Sequence, residues 1–124
     1  MSSVRRYRLD SMAFEPRFQN LVDIYEHAVR SFPSRELFGT KRGSTWHWIT
    51  YAEFGRQVEA FRGALSDLGI GPGDSVAIIS NNRVEWAVAA YAIYGRGASY
   101  VPMYEAQLAK DWEFIIRDCD AKAL

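Results

Sequence analysis

The spacing of apolar positions changes several times along this chain, and each change marks a new element. Leu21, Ile24, Tyr25, Ala28, Val29 and Phe32 recur every three or four residues, which predicts a helix with one apolar face. Asn20 suits its N-cap, Asp23 suits the positive end of its dipole, and Pro33 stops it. The period then falls to two. Residues 37–50 read as a hairpin of two β-prone runs around Lys41-Arg42-Gly43-Ser44, where Gly43 can take the positive φ of a tight turn. Trp46 and Trp48 share one face of the second strand, and Thr45, His47 and Ile49 share the other. The tryptophan pair is expected to pack the hairpin onto the core.

A second helix carries several agreeing signals. Thr50 and Glu53 form a T-x-x-E capping box, and Ile49 and Phe54 occupy the positions of a hydrophobic staple. Tyr51, Phe54, Val58, Phe61, Leu65 and Leu68 make one apolar stripe. Gly69 is placed to end the helix in the left-handed conformation, with Ile70 folding back onto Leu65. After the turn Gly71-Pro72-Gly73-Asp74, residues 75–80 are apolar with little alternation, as in a strand covered on both faces. Asn82 is expected to cap a helix over residues 83–94, with Glu85 at its third position. That helix is apolar nearly all round, so it predicts a sandwiched crossover ended by Gly95 and Gly97. Residues 98–102 form a second buried strand, completing a right-handed βαβ unit. A last helix over 108–118 should turn Leu108, Trp112, Ile115, Ile116 and Cys119 inward, and residues 121–124 open a third strand.

The expected fold class is therefore α/β: an N-terminal helix, a β-hairpin, then βαβ with parallel strands and crossover helices. Residues 1–19 read as an arm and residues 20–124 as one domain portion. The pattern stops on the opening of a strand, so the domain is expected to be incomplete, with self-association at an open sheet edge.

Composition narrows the function classes. The chain has 124 residues, 48% hydrophobic and 24% charged, with 15 basic and 15 acidic side chains. Zero net charge argues against a cationic nucleic-acid binder. One cysteine, Cys119, excludes an intrachain disulfide, and with two histidines it excludes a Cys/His zinc site. No apolar run is long enough to span a bilayer, and Arg5-Arg6 lacks the apolar stretch of a secretion signal. A cytoplasmic location is expected, with peripheral membrane association left open.

The chemical inventory is thin. The glycines of residues 69–73 end a helix and precede a strand, whereas a phosphate loop follows a strand and opens a helix. Ser80, Asn81 and Asn82, with Tyr104 and Glu105, lie at the carboxyl end of the parallel strands, where open α/β sheets bind ligands. A capping turn is the favoured reading at both places. His27 and His47 read as solvated or structural, and Cys119 as a buried inert thiol. Arg56, Glu59, Arg62 and Asp67 form the solvated side of the second helix. No catalytic, cofactor-binding or metal-ligating residue is assigned.

Function enters through resemblance. Asn20-Leu21-Val22-Asp23-Ile24-Tyr25, Phe32-Pro33-Ser34-Arg35 and Trp48-Ile49-Thr50-Tyr51-Ala52-Glu53-Phe54 resemble the opening of an adenylate-forming (AMP-binding) enzyme. So do residues 65–78, Leu-Ser-Asp-Leu-Gly-Ile-Gly-Pro-Gly-Asp-Ser-Val-Ala-Ile, and Asn81-Asn82-Arg83-Val84-Glu85-Trp86. Gly97-Ala98-Ser99-Tyr100-Val101-Pro102-Met103-Tyr104-Glu105 is similar to the long-chain acyl-CoA synthetase branch. The resemblance implies a carboxylate–CoA ligase using ATP, magnesium and coenzyme A, with fatty acid, ATP and CoA as small-molecule partners of the complete enzyme. It implies that residues 20–124 are the start of the large AMP-binding domain. The family's phosphate loop, nucleotide contacts, acyl pocket and catalytic lysine fall beyond Leu124, so this chain alone is expected to bind no cofactor and to be inactive. The alternative is a short interaction or regulatory protein that kept the fold and pairs with a partner chain. A free-standing nucleotide-binding domain is the weakest reading, for want of a phosphate loop.

Overall fold

The computed structural model describes residues 17–124. The expected arm lies largely outside the described residues, at 1–16. Helix α1 (Leu21–Ser31) starts where Asn20 Oδ1 accepts the Asp23 N–H at 2.9 Å. Strands β1 (Glu36–Arg42) and β2 (Thr45–Thr50) form the hairpin, pairing Arg42 with Thr45 across Gly43-Ser44. Gly43 has φ +62°, the sign wanted of the first residue in such a two-residue turn.

Helix α2 (Tyr51–Asp67) follows without a linker, and its first N–H groups are all satisfied. Tyr51 N–H donates to Arg35 C=O and Ala52 N–H to Pro33 C=O, both at 3.0 Å. Glu53 N–H donates to Thr50 Oγ1 at 3.2 Å, while Thr50 N–H donates back to Glu53 Oε2 at 2.7 Å. The expected capping box is present, and the α1–β1 connection supplies the remaining acceptors. At the other end Ile70 N–H reaches Leu65 C=O and Gly69 N–H reaches Ser66 C=O, each at 2.9 Å, with Gly69 at φ +77°. That is the expected left-handed cap.

Strand β3 (Ser75–Ile79), helix α3 (Val84–Tyr94) and strand β4 (Ser99–Met103) form the βαβ unit. Helix α4 (Ala109–Asp118) then leads to β5 (Ala121–Ala123). The sheet order is β4-β3-β5, parallel throughout, with Ser75 opposite both Ser99 and Ala121. The two crossovers run in opposite directions across β3, and their right-handed preference places α3 and α4 on opposite faces. Strand β4 is an edge among the described residues, where Pro102, lacking an N–H, is tolerated. Pro102 and Ser99 are exposed, so β4 is less covered than expected.

The core sits between α1, α2, α3 and the sheet. Val58, Leu65, Ala92 and Ile93 are its most enclosed side chains. Close approach shows at two glycines: a Cβ on Gly55 would lie 2.9 Å from Val29 Cγ1, and one on Gly95 would lie 2.9 Å from Arg62 Cδ. Tyr25, Phe54 and Tyr91 make an aromatic cluster, Tyr25 and Tyr91 lying 5.1 Å apart. Burial, and secondarily the Glu59 carboxylate, push the Tyr25 phenol up to about 12.

Four expectations are corrected. Asn82 does not cap α3; the N-cap is Arg83, extended and without a side-chain cap bond, and the Glu85 carboxylate pairs with the Arg83 guanidinium rather than with the helix start. The tryptophans do not face the core: Trp46 is 55% and Trp48 50% exposed, and the opposite face of the hairpin packs inward through Phe38 and Ile49. Leu108 is exposed rather than inward, since it is the N-cap residue that precedes α4, a helix that buries no residue fully. Cys119 is half-buried at the C-cap of α4 rather than enclosed. The apolar stripes are also longer than the surfaces that cover them: on α1 only Tyr25 is buried, and Leu68 at the end of α2 is exposed.

Candidate functional site

Two places could have held a ligand on sequence grounds, and the backbone decides against the first. In the glycine turn, Gly71 N–H donates to Asp74 Oδ2 at 2.8 Å and Asp74 N–H to Gly71 C=O at 3.1 Å. Gly73 N–H donates to Gly97 C=O at 3.4 Å, and those of Gly69 and Ile70 cap α2. Pro72 has none. Every N–H of the turn is therefore spent internally, and the residues do not fit a phosphate.

The second place is the carboxyl end of the sheet, which the structure splits in two. Asn81 and Asn82 line an open cleft of about 930 Å³ between the β3–α3 loop and the hairpin. Tyr104, Glu105 and Ser80 do not line it. Tyr104 N–H donates to Gln107 Oε1 at 3.1 Å, and its carbonyl accepts the Trp112 indole N–H at 2.8 Å, so that turn serves to start α4. Ser80 Oγ donates to the neighbouring Asn81 carbonyl. His27 lies elsewhere, on α1, its ring 5.2 Å from that of Phe18.

The other cleft wall comes from the hairpin. Thr40 and His47 are cross-strand partners, Arg42 pairs with Thr45, and together with Phe38 and Ile49 they occupy the face turned toward α3. His47 and Arg42 thus join Asn81 and Asn82, a grouping the sequence reading missed. The period-two pattern does put Thr40, Arg42 and His47 on the Ile49 face; nothing local says that this face overhangs the start of α3.

The cleft's electrostatics are set by one ion pair. Arg83 donates to both Glu85 oxygens, at 2.8 and 2.7 Å. Chiefly through that contact, and more weakly through Arg42, the Glu85 carboxyl is held down to about 2. A carboxylate so held stays ionised at neutral pH and is poorly matched to proton transfer. With Lys41 and Arg42 beside it, the cleft can receive an anion or polar group, but it presents no nucleophile beside a base. Among the described residues no three His, Cys, Asp or Glu side chains gather as metal ligands would, and no helix is long and apolar enough to cross a membrane.

Comparison with known proteins adds what the geometry lacks. A family model described as AMP-binding enzyme matches residues 25–124. Long-chain-fatty-acid–CoA ligase FadD15 of Mycobacterium bovis is 34% identical over 101 residues, covering 82% of this chain and 17% of that protein. The protein of the same name from Mycobacterium tuberculosis matches equally. A solved Mycobacterium tuberculosis fatty acyl CoA synthetase superposes with a TM-score of 0.75 at 27% identity, covering 83% of this chain and 20% of the other. The fatty acid AMP ligase from Legionella pneumophila superposes with a TM-score of 0.77 at 20% identity, over 85% of this chain and 19% of that one, which shows the shared fold alone. The chain thus spans about a fifth or less of the length of these relatives.

Proposed function

The chain belongs to the AMP-binding enzyme family, and from that premise we propose that it is the N-terminal segment of a long-chain fatty acid–CoA ligase. The observation that carries the reading is the match to FadD15, 34% identical across 82% of this chain. The complete enzyme would join a fatty acid carboxylate to the α-phosphate of ATP, giving acyl-AMP and pyrophosphate, and then pass the acyl group to the thiol of coenzyme A with release of AMP. Magnesium, when bound, would offset phosphate charge in the first step.

In this reading the 124 residues are scaffold. They supply the first three parallel strands and the α1–α3 layer that covers one sheet face. Residues 20–124 form the opening portion of the AMP-binding domain, behind the arm of residues 1–19. No catalytic, nucleotide-binding or metal-binding role is given to any of them. The spent N–H groups of the glycine turn and the ionised Glu85 support that assignment. Residues 1–124 alone would form no acyl-adenylate, and a cytoplasmic setting suits the single free Cys119.

The test is the transcript. Its reading frame should continue past codon 124 into a Ser/Thr/Gly-rich loop followed by a lysine. A stop codon directly after Leu124 in the native transcript would overturn the ligase reading and favour a short interaction protein.

A further inference from the structure

The cleft between the hairpin and the start of α3 has a charge that the chain as a whole does not. Lys41, Arg42 and Arg83 line it against one carboxylate, Glu85, whereas basic and acidic side chains are equal in number over the chain. Arg83 donates to both Glu85 oxygens, so those two charges offset each other and Lys41 and Arg42 are the excess. Arg42 and His47 on the hairpin, and Asn81 and Asn82 on the β3–α3 loop, are all exposed and face one another across the opening. Between these walls lie Phe38 and Ile49, half-buried against the core.

We propose that this cleft binds an extended acidic peptide segment of a partner protein, with Arg42 and His47 donating to its carboxylates. A guanidinium receives a carboxylate through two parallel hydrogen bonds. The side-chain amides of Asn81 and Asn82 both donate and accept, as a peptide backbone requires. Phe38 and Ile49 offer an apolar floor for one side chain of the segment. The volume of about 930 Å³ is that of a ligand cleft, and a lone small anion would leave most of it to water. A uniform polyanion such as a nucleic acid fits less well. Glu85 is held ionised inside the cleft by Arg83 and repels a phosphate in any register, whereas a peptide can set a neutral residue opposite it. The proposal rests on the cleft and not on the ligase reading.

The test is titration of the full 124-residue chain with a capped peptide that alternates glutamate and serine around one central leucine. Binding is read from backbone amide and indole NMR shifts. Saturable shifts should gather at Arg42, His47, Asn81, Asn82 and the Trp86 indole, which lines the same cleft, and weaken at high salt. Arg42→Gln, at the exposed hairpin tip and checked for folding by circular dichroism, should weaken binding about ten-fold. Lys110→Gln removes the same charge from α4, away from the cleft, and should leave binding unchanged. Absence of binding at millimolar peptide overturns the proposal. So does equal binding of the peptide with glutamine in place of glutamate, or an equal loss in Lys110→Gln, which would reduce the effect to net charge. Inorganic tripolyphosphate that binds the cleft as tightly would assign it to polyanions at large and overturn the peptide reading.

Discussion

Leu65 and Leu68 belong to one apolar stripe, yet their surroundings differ so much that the same substitution should have very unequal costs. Leu65 is 2% exposed and belongs to the cluster with Val58, Ile70 and Ile93; Leu68 is 72% exposed. Leu65→Ala removes three buried carbons at about 0.8 kcal/mol each, about 2.4 kcal/mol in transfer free energy. The cavity left behind adds to this, so a total of about 3–4 kcal/mol is expected, within the range for buried leucines. Leu68→Ala uncovers little and should cost about 0.5 kcal/mol. Urea titration of the full chain followed by far-ultraviolet circular dichroism reads both as midpoint shifts at constant slope. Equal losses, or a Leu65→Ala loss below about 1 kcal/mol, would mean that α2 does not face the core as described.

Three further perturbations probe other parts of the account. Gly69→Ala meets no atom within 4 Å, so its cost should be the left-handed backbone alone, about 1–2 kcal/mol, with Gly69→Asn milder; a neutral Gly69→Ala in urea titration would contradict the cap geometry. Arg83→Gln should return the Glu85 carboxyl from about 2 toward the ordinary carboxylate range, read from its side-chain NMR titration; an unmoved value would refute the pairing. The Tyr25 phenol at about 12 favours the neutral form in the folded chain, so its contribution is complete below the unfolded value near 10 and is lost as pH rises toward 12. Tyr25→Phe should therefore lose stability less steeply over that interval than the parent chain, and parallel curves would contradict it.

Where local chemistry decides structure, the sequence was legible. Asn20, Thr50 with Glu53, Gly43 and Gly69 each act through neighbours within five residues, and each has the predicted geometry. The parallel sheet was also readable, because a strand enclosed on both faces needs an unbroken apolar run, as in Val76-Ala77-Ile78-Ile79. Legibility failed where the answer depended on what lies opposite. The alternation separated Trp46 and Trp48 from Ile49 but could not say which face turns inward; size suggested the indoles, and the core took Phe38 and Ile49. The start of α3 lies one residue later than capping preference suggested, and Glu85 there pairs with Arg83, a contact that capping preference does not weigh. The cleft joining His47 and Arg42 to Asn81 and Asn82 is a product of tertiary placement between segments over thirty residues apart.

The central claim, that these residues are scaffold for adenylation completed by residues beyond them, is tested most directly by fatty-acid-dependent ATP–pyrophosphate exchange. The protein expressed from the whole reading frame and the 124-residue chain would be compared, both free of host ligase. The account predicts exchange by the former and none above a no-protein control by the latter. Exchange catalysed by residues 1–124 alone, or none by the whole-frame protein with any fatty acid, would contradict it.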